Sequence, residues 1–197
     1  GGERRNRPCC GSHRPQAGGC PPGGDGRIDL KDQFFGCEIE MTGITRKQAA
    51  EAVAALFGTT AVHLRSSRTY DPWEVNDLQG KTWRFVYDGS IRTTYSEGRR
   101  QAEIRSREYS VEMNSPKLSY EEMGKLQEVV RCLRRAGAVV NESCGMHVHV
   151  DASQHTPLSL KNALSIMYSK EDILFKALNV NERRVERWCQ KVREPML

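Results

Sequence analysis

The sequence predicts an α+β fold with a mostly antiparallel sheet and flanking helices. Strand-like runs with alternating apolar and polar residues are interspersed with capped helix patterns. The two kinds do not follow a regular βαβ order, which a parallel sheet would require. Asp88-Gly89 adds a hairpin-type turn signal between strand runs.

Residues 1–26 are rich in Gly, Pro and Arg and nearly lack aliphatic side chains. Such a segment cannot bury enough surface to offset its ordering entropy, so disorder is expected over 1–32. Its Cys9, Cys10, His13 and Cys20 match no usual zinc-finger spacing. The patterned domain runs from 33 to 197 and opens with a strand over 34–41. Thr45 N-caps a helix over 46–57, which Gly58 closes. A strand is expected over 62–66, a loop over 71–80, and strands over 82–87 and 107–114. Ser119 and Glu122 form a capping box for a helix to about Arg135, with Leu126, Val129, Val130 and Leu133 at helical spacing and Gly137 as its stop. Residues 138–140 and 145–150 are strand-like. From Leu158 the pattern is helical to the end, with breaks expected near Ser169 and Asn179.

Composition excludes some functions. The net charge is +5, but residues 1–27 hold five arginines against Glu3 and Asp25, which leaves the domain nearly balanced. A balanced domain gives no electrostatic case for a nucleic-acid partner. No apolar run approaches the roughly 20 residues of a membrane span, and no apolar signal-peptide core follows the first residues. Seven cysteines, with Cys37, Cys132, Cys144 and Cys189 standing singly, suit a reducing, cytoplasmic compartment.

The chemistry lies in three strands of one habit. In 34–41, Phe35, Cys37, Ile39 and Met41 share one face, and Glu38 and Glu40 share the other. Carboxylates this close raise each other's pKa unless a cation lies between them. In 108–113, Glu108, Ser110 and Glu112 oppose Tyr109, Val111 and Met113. In 146–151, His147, His149 and Asp151 oppose Met146, Val148 and Val150. If all the apolar faces enter one core, the polar faces line one surface. Carboxylate oxygens with one imidazole suit Mg²⁺ or Mn²⁺. A solvated sheet face gives the same alternation, although exposed His-x-His is uncommon.

Ordered motifs add to this. Phe35-Gly36-Cys37-Glu38-Ile39-Glu40 resembles the opening motif of the amidoligase family. Asp88-Gly89-Ser90 resembles its Asp-x-Ser turn, and Glu112-Met113-Asn114-Ser115-Pro116 its Glu-x-x-Ser-Pro element. Ser143-Cys144-Gly145-Met146-His147-Val148-His149-Val150-Asp151 resembles its Gly-x-His-x-His block, and Arg183-Arg184 with Glu186-Arg187-Trp188 its following helix. The resemblance implies a glutamine synthetase-like fold and a carboxylate–amine ligase that uses ATP and Mg²⁺ (or Mn²⁺). It implies Glu38, Glu40, Glu112 and His147 as metal ligands, and His149 as a phosphate contact in binding and catalysis. Asp88 and Arg184 follow as catalytic residues, Arg183 and Arg187 as nucleotide-binding residues, and Asp151 as a partner that orients His149. Substrates would be a small-molecule or peptide carboxylate and an amine, with no nucleic-acid or membrane partner. The family continues past the Arg-Arg helix, so further ligands are expected beyond Leu197.

Other residues fit blander roles. Cys144 suits a packed thiol. Arg183, Arg184 and Arg187 also fit the wet face of a helix whose apolar stripe is Val185, Trp188, Cys189 and Val192. His63 and His155 show no partner in the sequence, and Trp73, Trp83 and Trp188 suit core or rim positions. Two other functions fit parts of the pattern: a non-catalytic descendant that binds nucleotide or peptide, and a metal-dependent hydrolase. The hydrolase needs more histidine ligands than the single His155 that follows His-x-His.

Overall fold

The computed structural model describes residues 29–65, 70–97 and 100–193. Of the N-terminal segment, only 29–32 are described, and Leu30–Asp32 form a 3-10 turn leading into the sheet. Cys9, Cys10, His13 and Cys20 lie outside the described residues.

Strand β1 (Phe34–Met41) and helix α1 (Arg46–Phe57) stand where the pattern puts them. The Thr45 hydroxyl accepts the Gln48 amide at 3.2 Å, and Gln48 Oε1 accepts the Thr45 amide at 2.8 Å. That reciprocal pair satisfies two amides that would otherwise be orphaned. Strand β2 (Ala61–His63) is shorter than expected. The presumed loop over 71–80 contains strand β3 (Trp73–Asn76), which turns tightly into β4 (Thr82–Val86). Pro72 and Asp77 flank this short strand rather than interrupt it, so breaker residues hide it in the sequence. A separate hairpin joins β5 (Thr94–Glu97) to β6 (Arg100–Glu103).

The strand expected over 107–114 is divided. Arg107–Tyr109 form a 3-10 turn, and only β7 (Val111–Asn114) is extended. The cause is Arg46, which is 3% exposed at the start of α1. Its guanidinium donates to the carbonyls of Arg107 at 2.7 Å and Ser110 at 2.8 Å, and it pairs with the Asp71 carboxylate. Carbonyls drawn onto a cation are lost to a ladder. Glu108 therefore leaves the face it was expected to share with Glu112.

After β8 (Leu118–Ser119), the capping box forms as read: Glu122 accepts the Ser119 amide at 2.9 Å ahead of α2 (Met123–Arg135). The strand expected at 138–140 shrinks to one bridge, Val139 with Thr42. Gly43 beside it is required to be glycine: its φ is +87°, and a Cβ would lie 2.7 Å from the Gly137 carbonyl oxygen. Strand β9 (Met146–Val150) precedes α3 (Pro157–Ala177). Helix α3 runs through Ser169, whose hydroxyl donates to the Ile166 carbonyl at 3.0 Å and so costs no helical turn. The break near Asn179, at φ +52°, is present. Helix α4 (Glu182–Arg187) ends early, so Trp188, Cys189 and Val192 do not extend its stripe.

The sheet order is β2-β3-β4-β7-β1, antiparallel throughout, with β8 beside the start of β1. Ile39 partners both Met113 and Met146, so β9 lies across β1 from β7 and forms the outer strand. The core is one cluster between this sheet and α1 and α2, centred on Val53, Val75, Trp83, Phe85, Val111, Met113 and Val129. Its alanines, Ala49, Ala50 and Ala54, let α1 sit close on the strands. The apolar face of β9 departs from expectation: Met146, Val148 and Val150 are each more than half exposed. Helices α1 and α2 do not extend over the outer strand, so this face joins no core among the described residues. No helix among the described residues is long and apolar enough to cross a membrane.

Candidate metal and anion site

The polar face of the sheet carries the candidate residues, and register brings them together. Glu40 lies opposite Glu112, and Glu38 lies opposite His147. Asp88 continues the same face two residues beyond Val86, which is itself opposite Glu112. Glu40, Asp88 and Glu112 each offer a carboxylate oxygen, and these oxygens all lie within 4.8 Å of one another.

Each acid is held in place by a neighbour. Glu40 is buried, and its Oε2 accepts the Gly145 amide at 2.6 Å. Asn114 Nδ2 donates to Glu112 Oε1 at 3.0 Å. The buried Ser110 hydroxyl accepts the Asp88 amide at 3.1 Å and donates to the Asp88 carbonyl, while Ser90 N–H donates to Asp88 Oδ1 at 2.6 Å. Burial pushes the Glu112 carboxyl up. Its bond from Asn114 opposes that rise, and the charges of Glu38, Asp88 and Glu40 reinforce it. An all-oxygen set with unneutralised negative charge fits Mg²⁺ or Mn²⁺. Glu40, Asp88 and Glu112 would be its ligands.

Glu38 and His147 stand beside this triad rather than within it. Glu38 uses both oxygens, one 3.1 Å from His147 Nδ1 and the other 3.2 Å from His149 Nε2. The carboxylate beside His149 is thus that of Glu38, and Asp151 has other partners. Asp151 pairs instead with Lys117 at 2.8 Å and accepts the Ser153 amide at 2.9 Å; these bonds lower its pKa to about 2.

Glu40 and Asp88 of the triad line a cavity of about 610 Å³ with Ser90, Arg92, Glu142, Ser143, His147, Arg184 and Trp188, while Glu112 lines a second hollow with Asp88 and Tyr87. Arg184 Nη1 donates to the carbonyls of Ser143 at 3.2 Å and Cys144 at 3.1 Å. Arg92 N–H donates to Ser143 Oγ at 2.8 Å, and Asn141 Nδ2 donates to the Arg92 carbonyl at 2.7 Å. The loop after β4, the loop before β9 and α4 are therefore stitched around one opening. Arg92 carried no sequence signal of a site, because a loop residue has no periodicity to betray a shared face, and Ser143 opens the Gly-x-His-x-His block with no role assigned to it. The side chains of Arg183 and Arg187 lie outside the described residues.

The remaining residues find ordinary partners. Cys144 is half-buried, and burial raises its thiol pKa, so it stays protonated. His63 pairs with Asp71 at 2.6 Å and stacks on Trp73. His155 sits 3.1 Å from Gln33 and 3.2 Å from Ser159 and does not line the cavity. Trp83 is fully buried, and Trp188 stands at the cavity rim.

The family model described as "Putative amidoligase enzyme" matches residues 31–197. No curated protein and no solved structure matches the chain.

Proposed function

The chain belongs to the amidoligase family, and from that premise we propose that it is an ATP- and Mg²⁺-dependent ligase joining a carboxylate to an amine. The observation that carries this reading is the meeting of Glu40, Asp88 and Glu112, the first two of which line a cavity that also holds Arg92 and Arg184. The proposal includes a glutamine synthetase-like sheet and a cytoplasmic site of action.

Bound at the three carboxylates, Mg²⁺ would offset charge on the ATP phosphates and help align the γ-phosphate for attack. The protein's own residues do the rest. Glu40, Asp88 and Glu112 would hold the cation, each carboxylate pinned by an amide N–H. Glu38 holds the His147 ring through Nδ1, so that His147 can complete the ligand set; His149, beside Glu38 in a separate hollow with Gly36 and Lys117, would be the phosphate contact. Arg184 presents positive charge to the cavity that Glu40 also lines. Arg183 and Arg187, on the same helix, are assigned to the nucleotide. The substrate carboxylate attacks the γ-phosphate and releases ADP. The amine then displaces phosphate from the acyl phosphate and leaves the amide.

A hydrolase reading is disfavoured because His155 lies away from the cavity. Hydroxylamine is a general acceptor for acyl phosphates, so the test is ADP release with Mg·ATP, hydroxylamine and a panel of amino-acid and peptide carboxylates. Carboxylate-dependent ADP release with hydroxamate formation, abolished in Asp88→Asn, is the expected result. Substrate cleavage without ATP would establish a hydrolase. Tight Mg·ATP binding without turnover across the panel would favour the non-catalytic binding protein.

A further inference from the structure

We propose that Gly145 is a positioning residue, which seats the Arg184 guanidinium as the cavity's receptor for an anionic phosphate oxygen. The inference rests on the metal–nucleotide reading of the cavity. Gly145 is not among the glycines with positive φ, so its backbone does not call for glycine. Space does. A Cβ on Gly145 would lie 2.0 Å from Arg184 Nη2 and 2.9 Å from Cζ. The guanidinium thus occupies the volume that any other residue's side chain would fill.

The same residue places the opposite charge. Gly145 N–H donates to Glu40 Oε2 at 2.6 Å, and its carbonyl accepts the Glu40 amide at 3.0 Å. One glycine therefore holds an acid of the triad through its backbone and an arginine through its missing side chain. Arg184 spends its hydrogen bonds on the neutral carbonyls of Ser143 and Cys144. A guanidinium satisfied by neutral acceptors keeps its charge for an incoming anion, and its planar fork suits phosphate oxygens.

Substitution should separate these roles. The guanidinium of Arg184 is the far end of a flexible side chain, so Gly145→Ala expels it without breaking the sheet, and the backbone amide of the variant still reaches Glu40. The measurements are Mn²⁺ binding by electron paramagnetic resonance, Mg·ATP binding by calorimetry, and thermal midpoint, for wild type, Gly145→Ala, Arg184→Ala and the double variant. Gly145→Ala and Arg184→Ala should each weaken Mg·ATP binding by about tenfold or more. Mn²⁺ affinity should hold within about threefold, and the double variant should be no worse than Arg184→Ala alone. Wild-type Mg·ATP affinity in Gly145→Ala would overturn the proposal, as would additive losses. Loss of Mn²⁺ binding in Gly145→Ala but not in Arg184→Ala would assign its effect to Glu40 and overturn the seat. Wild type that binds neither Mn²⁺ nor Mg·ATP would overturn the metal–nucleotide reading, and the seat with it.

Discussion

Glu112 shows how one residue ties stability to the proposed chemistry. Burial first, then the charges of Glu38, Asp88 and Glu40, raise its pKa above the ordinary 4.5 against the opposing bond from Asn114. Without metal, the folded state holds this proton more tightly than the unfolded state does. The stability it contributes is whole below about pH 4.5 and is lost as pH rises through the raised value. Glu112→Gln removes that dependence. In a chelator, the variant should match wild type near pH 4.5 and exceed it at pH 7 by on the order of 1 kcal/mol, as denaturant melts at the two pH values would show. Equal stabilities at pH 7 would contradict the raised pKa. With Mn²⁺ the order should reverse at pH 7, because cation binding favours the ionised form. Asp88 makes a different point at this scale. The resemblance implied a catalytic role for it but no place on the metal face, because a residue past the end of a strand has no alternation to place it. Its position on the metal face follows from Ser110, whose burial depends on the fold around Arg46.

At the level of elements, segments with clean alternation or explicit caps were legible, and those shaped by contacts distant in the chain were not. Strand β1 and helix α1 combine clear periodicity with explicit caps, so local pattern and tertiary packing agree. The polar alternation of β1 was likewise enough to foresee Glu38 and Glu40 on one face. Register with β7 and β9 was not legible, since pairing is decided across the sheet rather than along the chain. Strand β3 was lost between breakers, and the 3-10 turn at Arg107–Tyr109 depends on a buried arginine more than sixty residues earlier in the chain. Two predictions belong here. The β3–β4 turn is tied to α2 by Asp77, which accepts the Gln79 and Lys81 amides at 3.0 Å each and Lys125 Nζ at 2.9 Å. Burial pushes its pKa up, but the bonds from Lys125, the Lys81 amide and Trp83 outweigh it, and the net value lies below 3.8. That contribution is present above the ordinary value and is lost as pH falls through the folded value. Asp77→Asn should cost about 2–3 kcal/mol at pH 7, with the gap in urea melts narrowing toward about pH 3; a constant gap would exclude the ionic tie. Strand β9 predicts the opposite sensitivity. With Val148 at 54% exposure, Val148→Thr should change stability by less than about 0.5 kcal/mol, whereas Met113→Ala in the core should cost about 2–5 kcal/mol. A large loss at Val148 would show that this face is covered in solution.

For the molecule as a whole, the core and the site are distributed unequally along the chain. Among the described residues, the buried apolar cluster lies wholly between Cys37 and Leu133. The segment from β9 to α4 supplies His147, His149 and Arg184 but, among the described residues, adds only Glu171 to the buried set. Glu171 accepts the Val192 amide at 3.0 Å, so α3 is tied to the chain after α4 by polar contacts rather than by apolar packing. Sub-global opening free energies scale with such packing. Amides of α1, β4 and β7 should therefore exchange with deuterium only through near-global unfolding, and those of α3 and α4 should exchange far sooner. A cation on Glu40, with nucleotide reaching Arg184, would bridge the two parts, because Gly145 bonds one and seats the other. Ligand bound at 100 times its Kd adds about 2.7 kcal/mol to every opening that destroys the site. Protection should accordingly rise by roughly a hundredfold in the 143–147 loop and in α4 on addition of Mg·ATP, with little change in α3 beyond its junction with α4. The check is hydrogen–deuterium exchange with and without Mg·ATP, repeated with Arg184→Ala. Equal gains in α4 for wild type and Arg184→Ala would mean that nucleotide does not engage this arginine. A gain confined to the core strands would mean that the C-terminal helices contribute no part of the binding site.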